Sequence, residues 1–396
     1  MKPLLFSVLP RPPHPTRDGL AIRNSHLLAA MAADFRVRAF CLLDPQRAYR
    51  GELPEGIEIE WIPQAPRSRR RAIAAAGSLL TGRAYSERLY RSVRLERRIA
   101  ALAAQERPCG IVAHSYHVAP AALSAGRPVW IDFHNLDSEI WNRTALSASS
   151  AAVRLFARLQ APRVRRLERR LAGAAAGLSC VSRRDAEELS VGVAAAPPLV
   201  VPTGVDLSRY VFRREVPEGE IVQFVGDLSW PPNAEAVRWL RREVWGHIRA
   251  ARPAARARIL GRSAPRDLQR LASADFIFSE DGADTRPHWA SAAVAVVPLL
   301  AGGGTRLKIL EAAACGVPVV STPIGAEGLE LEPEREILLR ADAAGFAAAV
   351  AGLLADPEAA QRQAIAARAR VEAQYDWRRI GLEFAQALQG LVGEAS

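Results

Sequence analysis

Short apolar runs and longer stretches of helical spacing take turns along the whole chain. Apolar-rich runs stand at LLFSVLP (4–10), VRAFCLL (37–43), IEIEWIP (57–63), CGIVAHSYH (109–117) and PVWIDF (128–133). More follow at GLSCV (177–181), IVQFV (221–225), ARILG (257–261), DFIFSEDG (275–282) and from Ala293 to Leu300. Turn formers bound them, which predicts buried strands. Between the runs the apolar residues recur every three or four positions. Leu20, Leu27, Leu28 and Met31 share one side of a helix after the first run. Leu95, Ile99 and Leu102 do the same among arginines, giving an amphipathic basic helix that would lie on a membrane or keep a solvated basic face. Further helices are expected over 154–175, from about Asn233, and in YDWRRIGLEFAQALQGLVG at the end of the chain.

Strand and helix alternating in both halves predicts an α/β protein with two parallel sheets. The expected division is residues 1–202, a linker at 203–218, a second domain at 219–375 and a terminal helical segment at 376–396. Open α/β sheets bind ligands at the carboxyl ends of their strands. Residues there are candidates for chemistry: His134, Gly226 with Asn233 at the following helix, and Arg262.

One stretch stands apart, AGGGTRLKILEAAACGVPVVSTPIG at 301–325. It reads as a glycine loop after a strand, then a helix, a turn and another strand. Gly302, Gly303 and Gly304 let the backbone approach a ligand closely, and Thr305 can cap the helix. The unpaired N–H groups and positive dipole end of that helix favour an anion. Arg306 and Lys308 crowd the same end, where a cation costs up to ~1 kcal/mol unless something anionic is bound. Of 53 lysines and arginines only Lys2 and Lys308 are lysines, which suggests that a compact ammonium suits this place better than a guanidinium fork. The competing reading is a solvated Lys308 paired with Glu311 at i, i+3.

This stretch resembles the donor-site motif of glycosyltransferase family 4, the retaining nucleotide-sugar transferases of the GT-B fold. Glu311 and the AAACGVPVV after it match the second glutamate of the family's E-x7-E motif and its sequel. Gly303 occupies the position of the first glutamate. PLVVPTGVD (198–206) is similar to the P-N-G-V-D stretch that closes the first domain in this family, with Thr203 in place of asparagine. DFIFSEDG (275–282) is similar to the strand that contacts the nucleobase. The family's arginine after the glycine at 226 is replaced by Asp227, and its lysine a few residues on is missing.

The resemblance implies two Rossmann-like domains facing each other across a cleft, with the terminal helix crossing back to the first. It implies transfer of a sugar from a nucleotide diphosphate donor to an acceptor hydroxyl with retention, in glycan, exopolysaccharide or glycolipid assembly. Glu311 would hold the ribose hydroxyls. Gly302 to Thr305, Arg306 and Lys308 would bind the diphosphate, with Gly19, Gly226, Asn233 and Arg262 nearby. His134 would serve the transferred sugar or the leaving phosphate. No metal site and no cofactor is expected, since fixed cations stabilise the departing diphosphate. With Gly303 in place of a carboxylate, a front-side route is favoured in which the leaving phosphate takes the acceptor proton. A GT-B sugar-nucleotide epimerase and a non-catalytic glycan- or nucleotide-binding module are the alternatives. A dinucleotide oxidoreductase would need a G-x-G-x-x-G run after a first strand, which neither half has.

Composition refines the picture. Hydrophobic content of 49% and charged content of 24% are those of a globular protein. Net charge is +11, and residues 1–200 carry +13 while 201–396 carry −2. A basic first half marks nucleic acid, an anionic membrane surface, or only an arginine-rich genome. The familiar nucleic-acid signatures are missing, so no nucleic-acid partner is expected. A glycan or lipid-linked acceptor is. Cys41, Cys109, Cys180 and Cys315 stand far apart and form no metal or redox motif, and His114 and His117 lack a third ligand nearby. The first residues are too short an apolar run for a secretory signal, and no stretch is long enough to span a bilayer. The expected location is cytoplasmic, peripheral on the inner membrane.

Overall fold

Runs buried on both faces make parallel strands, because each face of the sheet is covered by helices. GIVA at Gly110–Ala113, VWIDF at Val129–Phe133 and VAVV at Val294–Val297 are buried throughout. The computed structural model describes residues 2–14, 19–44, 56–148, 150–191, 197–215, 217–279, 284–302 and 306–393. It divides the chain into two units, Met1–Pro202 with Ile380–Ser396, and Thr203–Arg379.

The first unit runs β1 (Leu4–Leu9), α1 (Gly19–Asp34), β2 (Arg36–Leu43), β3 (Ile57–Pro63), α2 (Arg67–Thr81), α3 (Tyr85–Tyr90), α4 (Val93–Glu106) and β4 (Gly110–Ala113). It continues through α5 (Ala119–Leu123), β5 (Val129–Phe133), α6 (Asp137–Ser147), α7 (Ala151–Ala174), β6 (Gly177–Cys180), α8 (Arg183–Ser190) and β7 (Leu199–Val200). Its strands lie in the order β3-β2-β1-β4-β5-β6-β7, all parallel. Phe6 meets Phe40 edge-on at 5.2 Å in the core beneath the sheet.

The second unit runs β8 (Ile221–Val225), α9 (Pro231–Trp239), a π-helical turn (Leu240–Val244), α10 (Trp245–Ala251), β9 (Arg256–Leu260), α11 (Arg266–Gln269), β10 (Phe276–Ser279), α12 (Arg286–Ala290) and β11 (Val294–Val297). Then come α13 (Leu307–Ala314), β12 (Val319–Ser321), β13 (Leu338–Leu339), α14 (Ala343–Ala355) and α15 (Pro357–Gln374). The order is β10-β9-β8-β11-β12-β13, again parallel. α16 (Trp377–Leu388) and α17 (Gly390–Gly393) end the described chain. Their later residues pack in the first unit. Phe384 stands edge-on to Trp130, and a Cβ on Gly381 would meet that of Ala30 at 2.8 Å.

In each sheet the strand order reverses once, between β1 and β4 and between β8 and β11. Loops leaving adjacent strands on opposite sides open a crevice at such a point. In the second unit the two loops are the one holding Gly226 and the one holding Gly302. Sheet order thus brings together segments about 75 residues apart.

Several expected elements differ in detail. α13 begins at Leu307 with Arg306 at its cap position and no side-chain cap bond. Arg306 therefore precedes the first turn, and Thr305, with Gly303 and Gly304, lies outside the described residues. Asn233 does not cap α9. Trp230 holds that position because Pro231 and Pro232, which lack N–H groups, suit the first two helical places. The amphipathic helix is α4, and Leu95, Ile99 and Leu102 face the core, so its apolar side is already covered by protein. α6 and α15 carry no strong apolar stripe and were not anticipated; α15 buries small or polar residues such as Ala360, Gln363, Ala364 and Ala367.

Candidate functional site

Lys308 sits one residue into α13, and its side chain crosses to the neighbouring loop rather than to its own helix. Nζ donates to Asn233 Oδ1 at 2.9 Å and lies 4.4 Å above the Phe224 ring, a cation–π contact. Asn233 Nδ2 in turn donates to Asp227 O at 2.9 Å. The i, i+3 pairing with Glu311 is thus replaced by a tertiary hydrogen bond. A Cβ on Gly226 would lie 2.8 Å from both Asn233 Nδ2 and Lys308 Nζ. Glycine at 226 is what allows the ammonium and the amide to come this close to the end of β8.

Gly302 has φ +122°, which side chains rarely adopt, and a Cβ there would meet the Trp230 ring at 2.8 Å. Trp230 thus lies across the described part of the glycine loop, a feature that its lone position in the sequence did not reveal. Arg306 is 4% exposed, and its guanidinium donates to Ile324 O at 3.4 Å. Both cations are therefore held in protein surroundings rather than in bulk water. Burial, reinforced by Arg306 and opposed by Glu311, lowers the Lys308 ammonium to about 7. A buried cation this weakly compensated gains when an anion arrives.

Glu311 lies one turn further along α13. Its Oε2 accepts from Thr285 Oγ1 and Trp289 Nε1, both at 3.1 Å. Burial raises its pKa, while Trp289, Tyr210, Thr285 and Lys308 oppose that rise. One carboxylate oxygen thus fixes the rotamer through two donors, Thr285 just before α12 and Trp289 within it. Arg262 is half exposed, its guanidinium 3.8 Å from Asp227 Oδ2. That carboxylate also takes both the N–H and the hydroxyl of Ser229, at 2.9 and 2.6 Å. Asp227 is thereby occupied in its own turn and does not touch Lys308 in this arrangement.

The structure gathers Gly226, Asn233, Gly302, Arg306, Lys308 and Glu311 around one switch point. Arg262 stands at its margin. Gly19 and His134 belong to the other unit. Gly19 is the exposed first residue of α1. His134 follows β5, with Nε2 2.9 Å from Asp132 Oδ2. Burial lowers its pKa against the pull of Asp132, so the ring is neutral near pH 7.

Asp132 is the centre of a buried polar knot that the sequence reading missed. Arg23 on α1 grips it through two bonds of 2.8 and 2.7 Å and donates to Val201 O and Pro202 O. Ser179 adds a third donor at 2.6 Å. Burial favours the neutral acid, but Arg23 and His134 outweigh it and hold the carboxyl well below the usual range. The only advance sign was an arginine on the side of α1 that also carries Leu27. Beside it, the fully buried His114 is lowered to about 3 by desolvation and stays neutral. Among the described residues no three His, Cys, Asp or Glu side chains gather as metal ligands would.

The Glycosyltransferase Family 4 model matches residues 17–209, and the Glycosyl transferases group 1 model matches residues 219–356. The chain belongs to glycosyltransferase family 4. As a member of that family it shares its fold with solved structures along nearly its whole length. A sucrose-phosphate synthase from Thermosynechococcus elongatus is 20% identical with TM-score 0.71, covering 99% of this chain and 100% of that one. HepE of Anabaena, solved in complex with UDP and glucose, is 15% identical with TM-score 0.68, covering 98% and 99%. At such identities the likeness establishes the GT-B fold alone. Glycogen synthase of Mycobacterium tuberculosis is 44% identical over 82 residues, and that match spans 20% of either protein.

Proposed function

We propose that this family 4 member transfers a sugar from a nucleotide diphosphate donor to an acceptor hydroxyl, with retention of the anomeric configuration. The observation that carries the reading is the pair of cations set into protein at the glycine loop. Burial and the neighbouring Arg306 weaken the charged form of Lys308, and a diphosphate placed beside both cations favours it. The first turn of α13 has no side-chain cap and adds backbone donors on the same side. Charge fixed in advance at the leaving group stabilises the developing diphosphate as the glycosidic bond breaks.

The second unit holds the donor. Glu311 accepts from the ribose diol through the oxygen that does not serve Thr285 and Trp289. Gly226, lacking a side chain, lets the Asn233 amide and the Lys308 ammonium meet where the diphosphate binds, and Arg262 reaches it from the margin. Complexes of HepE with UDP and with UDP-glucose make a UDP-sugar the first donor to test. The first unit takes the acceptor, a glycan or lipid-linked chain in polysaccharide or glycolipid assembly, at an anionic membrane surface. The reaction needs no metal when the diphosphate is neutralised by protein cations. The leaving phosphate accepts the acceptor's proton on the front side, since Gly303 supplies no nucleophile.

Thermal-shift screening against UDP-, GDP- and dTDP-sugars identifies the donor by mass action. With that donor, Lys308→Ala and Glu311→Ala each lower turnover by ~10²-fold or more. Full turnover in both variants refutes the assignment, and conversion of the donor to a new nucleotide sugar without acceptor favours an epimerase.

A further inference from the structure

α2 is folded inside out by the usual standard of surface helices. It buries Ala74 and Ser78, while Ile73, Leu79 and Leu80 are outside, Leu80 at 87% exposure. A helix placed to fill a core would hide its large aliphatic side chains and show its small ones. The same helix carries Arg67, Arg69, Arg70 and Arg71 and no acidic residue.

α7 continues the pattern. Leu155 and Leu159, one turn apart, are 61% and 39% exposed on the face opposite the buried Ala157, Gln160, Ala161 and Val164. Arg158, Arg166 and Arg169 are exposed around them, and the single acid of the helix, Glu168, is buried. The two helices are tied together. Gln160 Nε2 donates to Ser78 Oγ at 2.8 Å, and Arg163 donates to Ser78 O at 2.9 Å. The exposed Leu79 and Leu80 follow the tied Ser78, and the exposed Leu159 precedes the tied Gln160.

We infer that the outer faces of α2 and α7 form a docking surface for a bilayer rich in anionic lipid, with the leucines entering the headgroup boundary and the arginines meeting lipid phosphates. Charge decides the occupant. A second copy of this face would bring arginine against arginine, whereas an anionic leaflet attracts each of them. Dispersed aliphatic side chains rimmed by cations suit a fluid interface. α4, the more obvious basic helix in the sequence, spends its apolar side on the core and contributes only charge.

The test uses the full chain and vesicles of phosphatidylcholine, with or without a third of phosphatidylglycerol. The wild type is expected to co-sediment with the anionic vesicles only, and raised salt weakens it. Neutralising four arginines together (R69Q, R71Q, R158Q, R166Q) lowers partitioning roughly 10²- to 10³-fold. Leu80→Ser with Leu159→Ser weakens it separately. Both variants keep the circular dichroism and donor-induced thermal shift of the wild type, so failure here is distinct from failure of the donor assignment. Equal binding to both vesicle types, no binding to either, or wild-type binding by the variants overturns the inference. So does a dimer that dissociates in the leucine variant, or retention of the wild type by an acidic protein but not by anionic vesicles.

Discussion

Donor binding should be accompanied by proton uptake at Lys308. Its pKa of about 7 in the free protein is set first by burial and then by Arg306. The unfolded reference is about 10.4, so the folded free protein holds this proton less tightly. A bound diphosphate beside Nζ reverses the balance and raises the pKa. At pH 7.5 about a quarter of the free molecules carry the proton, so binding takes up about three quarters of a proton. Affinity is then greatest below pH 7 and falls as pH rises, approaching tenfold per unit and reaching about 50-fold between pH 7 and 9. The diphosphate of a nucleotide sugar is a diester and does not titrate in this range, which isolates the protein's contribution. Calorimetric titration at pH 7.5 in buffers of different ionisation enthalpy measures the uptake directly. Lys308→Met should abolish it and flatten the pH profile. A binding enthalpy independent of buffer, or uptake that persists in Lys308→Met, refutes the reasoning.

Two further outcomes follow from packing. Gly226→Ala keeps an ordinary backbone but pushes Asn233 and Lys308 apart. Losing that arrangement costs the free protein about 1–3 kcal/mol, read as a lowered melting temperature, and titration should show weaker donor binding because Lys308 no longer stands beside Asn233. Arg23→Leu strands the fully buried Asp132 carboxylate, and urea unfolding of the full chain should show about 3–5 kcal/mol lost. Adding Asp132→Asn should restore part of it, and additivity of the two changes would show that they are not coupled.

Local pattern determined a good deal. Apolar runs between turn formers specify buried strands, and their alternation with helical spacing specifies two parallel sheets. The glycine loop followed by Arg306 and Lys308 pointed to an anion site because cations at a helix start conflict with the dipole. That conflict is written in adjacent residues and needs no tertiary information. AAACGVPVV after Glu311 and the stretch closing the first domain were enough to recognise the family.

Only the tertiary structure decided which groups those residues meet. Lys308 finds Asn233 because β8 and β11 are neighbours at the strand reversal, a pairing that no short-range spacing encodes. Glu311 is fixed by Thr285 and Trp289, and Asp132 by Arg23, for the same reason: sheet order joins segments far apart in sequence. The burial of α4 and the outward leucines of α2 likewise could not be read locally. Periodicity tells that a helix has an apolar side, but the volume left beneath the sheet decides whether large or small residues fill it.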